Sequence, residues 1–166
     1  MGIMVAKHSE VFQSPEKYLS PEERALHHYQ AMAVLNPKDS KALIKLGDAM
    51  CLQEEYKNAV LAFQKAVMLS PDDPLPYYHL GNAYYMMAMY EDAIDSYKHS
   101  LALDDENGQL HFNIGSAYSA LEQFETAEKH YNLSIKYKKS NLPSYLCLGE
   151  VQIELGNYEQ ASIAFK

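Results

Sequence analysis

The chain has 166 residues, 48% of them hydrophobic, and a formal net charge of −8. That hydrophobic share suits a folded chain rather than a disordered one, and an acidic chain with no basic stripe is a poor binder of nucleic acid or an anionic membrane, whose phosphates need clustered Lys and Arg. Residues 1–50 hold six Lys/Arg against six Asp/Glu, so the acidic excess lies entirely beyond them.

From the N-terminus, Lys7, His8 and Glu10 interrupt any apolar run, so no secretory leader is expected. Ser14-Pro15 breaks helix propagation, and residues 1–20 read as a cap or irregular segment. Ser20-Pro21-Glu22-Glu23 is a capping box with proline in the first turn, opening a helix over 21–35 that Pro37 follows. Pro71 closes another helix, and Asp73-Pro74 opens the next. Ser140 or Asn141, ahead of Pro143, opens one more. Pro74–Tyr90 lacks formal charge but contains His79, Gly81 and Asn82, so it reads as a packed segment rather than a membrane span.

A period of 34 residues runs through the chain. Gly47, Gly81, Gly115 and Gly149 each follow a Leu or Ile. Ala59, Ala93, Ala127 and Ala161 keep the same step, as do Phe63, Tyr97, Tyr131 and Phe165, and Tyr56, Tyr90, Phe124 and Tyr158. Such self-similarity marks a repeat architecture in which each unit buries its apolar face against its neighbours. The small columns permit close helix approach and the aromatic columns fill the space between units.

The pattern Leu46-Gly47, Met50, Ala59, Phe63, Pro71 resembles the tetratricopeptide repeat, TPR. Further copies begin at Tyr77, His111 and Tyr145, and Ala25, Tyr29 and Pro37 form a degenerate half copy. The resemblance implies an all-α, right-handed solenoid of antiparallel helix pairs. It divides the chain into a cap (1–20), a half repeat (21–37), repeats at 38–71, 72–105 and 106–139, and a repeat at 140–166 truncated in its second helix. First (A) helices are expected near 40–53, 74–87, 108–121 and 142–155. Second (B) helices are expected near 56–69, 90–103, 124–137 and 158–166. Ala161 and Phe165 are expected to lack cover, which points to further repeats or to self-association through an open C-terminal end.

The resemblance also implies that A helices line an inner groove. The stripe there, at i, i+3, i+4 and i+7, is Lys41, Ile44, Lys45, Asp48 in the first repeat and Tyr78, His79, Asn82, Tyr85 in the second. Gln109, Phe112, Asn113 and Ser116 continue it in the third, and Leu146 and Glu150 in the fourth. Tyr78, Tyr85 and Phe112 are candidate anchors. Asn82, Asn113 and Gln109 are candidates to hold a peptide backbone. Lys41, Lys45 and His79 favour an acidic flank in the ligand. The family's two-carboxylate clamp, which grips chaperone C-termini, needs cations at places held here by Tyr78, Pro143 and Cys147, so that subclass is disfavoured.

No catalytic motif, metal-ligand spacing or cofactor signature is present: the His residues form no HExxH, and no GxSxG, Walker A or GxGxxG occurs. Cys51 and Cys147 form no CxxC and lie three repeats apart, which suggests a reducing, cytoplasmic setting. The expected function is a non-catalytic module that binds a peptide or helix of a partner protein, as adaptor or scaffold, with neither nucleic acid nor membrane insertion. The alternatives are a structural segment of a large assembly, a secretion-type or co-chaperone TPR protein, and the non-catalytic arm of an enzyme.

Overall fold

The computed structural model describes residues 19–139 and 141–165. The cap expected over 1–20 therefore lies, except for its last two residues, outside the described residues. Among the described residues there are nine helices and no strand: α1 (Pro21–Leu35), α2 (Ser40–Leu52), α3 (Tyr56–Leu69), α4 (Pro74–Met86), α5 (Tyr90–Leu103), α6 (Gly108–Ala120), α7 (Phe124–Tyr137), α8 (Leu142–Glu154) and α9 (Tyr158–Ala164). Each packs chiefly against its chain neighbours, with α2 also touching α4 and α6 touching α8. This is the layout of an all-α solenoid.

Helix starts follow local chemistry. The Ser20 hydroxyl accepts from Glu23 N at 3.1 Å, and Ser20 N donates to Glu23 Oε2 at 2.7 Å. The bond from Ser20 N, and then the Ser20 hydroxyl, hold the Glu23 carboxyl below its ordinary range. Asp39, Asp73 and Asn107 accept from the first-turn amides of α2, α4 and α6. Asn141 precedes α8 but caps nothing; its amide donates instead to Ser134 Oγ at 2.9 Å and Ser144 Oγ at 2.6 Å. Ser134 Oγ in turn donates to the Gly108 carbonyl at 2.7 Å, tying the end of α7 to the start of α6. Ser100 does the same between α5 and Pro74 O, at 2.8 Å.

The α3, α5, α7 and α9 starts have no side-chain cap. The turn before each is closed by backbone bonds, such as Glu55 N to Met50 O at 2.9 Å and Met89 N to Tyr84 O at 3.0 Å. Each of these turns requires a left-handed residue, and the position recurs at the repeat step: Glu54 (φ 59°), Ala88 (φ 57°), Glu122 (φ 58°) and Gly156 (φ 76°). Three of the four carry a Cβ in a region that disfavours it. Ala88→Gly is therefore expected to stabilise the chain by about 0.5–1 kcal/mol, read as a higher midpoint in a urea titration.

The glycine column has a specific partner. A Cβ at Gly47 would lie 2.4 Å from the Phe63 ring, at Gly81 2.5 Å from Tyr97, at Gly115 2.9 Å from Tyr131 and at Gly149 2.4 Å from Phe165. Each A helix thus seats the aromatic ring of its own B helix in the notch that glycine leaves. The alanine column faces the same way, which corrects one expectation: Ala161 is already buried by α8 and needs no following unit, while Phe165 is half exposed. Ile44 is also corrected. It is buried in a core cluster with Phe63 and Leu80, so it offers no surface to a ligand.

Candidate functional site

Side chains of α2, α4, α6 and α8 line two clefts. One, of about 510 Å³, is lined by Asn82, Tyr85 and Met86 of α4, Tyr97 of α5, Phe112, Asn113 and Ser116 of α6, and Cys147 of α8. A second cleft of about 370 Å³ is lined by Asp48, Cys51 and Leu52 of α2, Tyr56 and Phe63 of α3, and His79, Asn82 and Met86 of α4. Asn82 and Met86 belong to both, so the two clefts meet.

A polar ladder runs through the first cleft. Tyr97 Oη donates to Asn82 Oδ1 at 2.8 Å, and Asn113 Nδ2 donates to the same oxygen at 3.1 Å. Gln109 Nε2 donates to Asn113 Oδ1 at 3.0 Å. The Asn82 carbonyl is thus spent on the protein, which leaves its NH₂ group as the donor facing the cleft. Below, Tyr131 Oη donates to Ser116 Oγ at 3.3 Å. No side chain lining this cleft bears a formal charge, and burial pushes the Tyr85 and Tyr97 hydroxyls upward, which keeps both neutral. The second cleft holds the Asp48–His79 pair at 2.7 Å, with His79 stacked on Phe63. Burial, and then the Asp48 carboxylate, push the Cys51 thiol up to about 11; burial also raises Cys147. Both thiols are therefore weak nucleophiles.

The structure separates the remaining expected residues. Tyr78 and Gln109 line a smaller recess of about 140 Å³ near the starts of α4 and α6. Lys41 and Lys45 are exposed and line neither cleft, and Lys45 Nζ sits over the Tyr29 ring of α1. Leu146 and Glu150 are exposed on α8 and line neither cleft. His79 is tied to Asp48 at 2.7 Å. Met86 and Tyr97 are additions. Extending the α4 stripe by one residue would have reached Met86. Tyr97 lies on a B helix, and only the stacking of α5 under α4 brings its hydroxyl to the cleft.

Family models match three stretches, the first two overlapping: a TPR repeat over residues 47–87, and tetratricopeptide repeats over 74–107 and 108–141. This chain is a tetratricopeptide-repeat protein. Solved structures share the TPR chain's fold. The crystal structure of MamA has a TM-score of 0.80 at 21% identity, covering 89% of this chain and 92% of that one. YrrB, described as a TPR protein with an unusual peptide-binding site, has a TM-score of 0.73 at 23% identity, covering 85% and 73%. The first TPR of Spaghetti (RPAP3) bound to an HSP90 peptide, SRMEEVD, has a TM-score of 0.69 at 20% identity, covering 70% and 93%. No curated protein matches the TPR chain by sequence. Among its described residues no helix is long and apolar enough to cross a membrane.

Proposed function

We propose that this TPR protein is an adaptor or scaffold that holds a peptide or helix of a partner protein along the wall of α2, α4, α6 and α8. The observation that carries this reading is the uncharged cleft, lined by Tyr85, Phe112 and Asn82, whose carbonyl already accepts from Tyr97 and Asn113. An apolar side chain of the ligand would sit between the rings while a backbone carbonyl accepts from Asn82. The preformed wall limits the ordering cost on the protein's side. We take 38–71, 72–105, 106–139 and 140–166 as the repeat units, with 21–37 as a half unit. We place the protein in a reducing, intracellular compartment on the strength of its two free thiols, and assign it no catalysis.

The peptide in the RPAP3 structure, SRMEEVD, is acidic. The cleft here has no cation to pair with such a ligand, so a neutral, apolar-anchored segment fits better than a carboxylate-rich one. A second reading, a segment of a large assembly, draws on the exposed Val34 and Leu35 of α1 and Met68 of α3, each nearly four-fifths exposed.

The test is affinity capture followed by a binding titration of the captured segment. Tyr85→Ala with Asn82→Ala is expected to weaken binding by roughly 30-fold, the scale of a hot-spot loss of about 2 kcal/mol, with helical circular dichroism unchanged. Undiminished binding by the folded double variant would remove the wall from consideration.

A further inference from the structure

His111 on α6 and His130 on α7 face each other with their Nδ1 atoms 3.2 Å apart. Neighbouring columns show that this is a local departure. The places of His111 hold Leu43, Tyr77 and Tyr145 in the other units, and those of His130 hold Ala62, Ser96 and Ala164. A large residue opposite a small one has become two imidazoles. Tyr137 stacks on His111 at 5.5 Å and Tyr118 stacks on His130 at 5.6 Å, so the pair is clamped between rings.

A hydrogen bond between two Nδ1 atoms requires one N–H donor and one acceptor that keeps its lone pair. A first proton can go to the free Nε2 of the donor ring, which leaves that bond in place; a second proton must go to the acceptor Nδ1, and two N–H groups then point at each other. We propose that the His111–His130 pair is an acid-sensitive latch, which holds α6 to α7 while one Nδ1 keeps its lone pair and releases them when both rings are protonated. The surroundings give the second proton no compensation. Burial, then His111, then Lys98 of α5 push His130 down to about 4, and no carboxylate from α5, α6 or α8 is among the groups acting on it. Burial lowers His111 as well. Because the folded-state value lies below the unfolded one of about 6.5, the unfolded chain takes up the proton first. The stability is full above about pH 6.5 and is lost as pH falls toward about 4. Helix α6 also carries Phe112, Asn113 and Ser116, so release would loosen the cleft wall. The latch itself does not depend on what the cleft binds.

Imidazole NMR titration of the full chain, with thermal and urea unfolding from pH 7.5 to 4.5, tests the idea. His130 is expected to titrate at least one unit below the free-histidine value of about 6.5. Between pH 7 and 4.5 the folding equilibrium constant of the wild type should fall about tenfold more than that of His130→Ala. This figure is set below the full shift because His130 is partly exposed. The variant carries the residue found at positions 62 and 164. Amide exchange, corrected for intrinsic rate, should open at α6 and α7 before α4 and α5 on acidification. That last measurement decides the matter in the wild type alone if the variant does not fold. Titration of His130 near 6.5, equal acid losses in wild type and His130→Ala, or uniform exchange along the array would each overturn the latch.

Discussion

Gly81→Leu is expected to destabilise the chain by about 3 kcal/mol, at the upper end of overpacking costs, and to lower the thermal midpoint by roughly 10 °C. The reason is that the notch at Gly81 is already full. A Cβ there would meet two carbons of the Tyr97 ring at 2.5 Å, about 1 Å inside ordinary contact, and leucine adds three more heavy atoms. The ring has nowhere to retreat. Tyr97 is 2% exposed and its hydroxyl is held by Asn82 at 2.8 Å. Relief must come from separating α4 from α5. In a repeat array, damage to one unit splits cooperative unfolding into steps, so the melt should broaden as well as shift. A melt within about 2 °C of wild type, too small for an overpacked core of this kind, would show that the glycine–aromatic contact is not what sets the spacing of the pair.

Truncating the same ring from the other side gives the second large effect. Tyr97→Ala is expected to cost about 3–5 kcal/mol, the range for deleting a fully buried aromatic side chain. The notch at Gly81 becomes a cavity, and the cluster of Ala93, Leu110 and Ile114 loses its central ring. Tyr97→Phe keeps the ring and removes one hydroxyl, at a cost of about 0.5–1.5 kcal/mol. Asn82 Oδ1 still accepts from Asn113 in that variant, so the ladder in the cleft survives at reduced strength. Urea titration of the two variants separates packing from hydrogen bonding. Equal losses in both would mean that the hydroxyl, not the ring, holds the pair together.

The two variants also bear on the cleft. Tyr97 belongs both to the core of the α4–α5 pair and to the first cleft. Structural and binding surfaces share an atom here, and a substitution in one is felt in the other. For that reason Tyr85 and Asn82, rather than Tyr97, are the residues to change when binding is measured.

Helix positions were legible in the sequence because their signals are local. Pro21 in its capping box, Asp73 before Pro74, and the prolines at 37 and 71 act within a few residues. They mark the start of α1, the end of α3 and the start of α4, and the 34-residue register carries the bounds on to α5 and α7; α1, α3, α5 and α7 keep the expected bounds and the A helices end one residue short of them. The left-handed turn column was not legible. Glu54, Ala88 and Glu122 are not residues that favour a left-handed backbone, and only the backbone bonds that close each turn reveal the role they share with Gly156.

The candidate site was legible in part. Asn82, Tyr85, Phe112, Asn113 and Ser116 were found by helical spacing and come together in one cleft. Ile44 and Leu146 occupy the same column yet differ in kind: the first is buried and the second is 45% exposed. The α2–α3 pair lies between α1 and α4, whose Leu80 joins the cluster around Ile44. Among the described residues α8 has no A helix beyond it, so that side of Leu146 is open. Nor does a periodic pattern tell that His79 is tied to Asp48, or that Asn113 Nδ2 donates to Asn82 Oδ1, 31 residues away.

What the sequence alone determined is the repeat: the helix starts and stops, and the recurring glycine, alanine and aromatic columns, whose rings the structure seats against the glycines of their own units rather than between units. These follow from spacing along one chain and from chemistry within a turn or two. The tertiary structure alone decided which variable residues share a cleft, which are spent on one another, and that His111 meets His130. Such pairings depend on the distances between stacked helices, and those distances arise only when every unit has packed against the next.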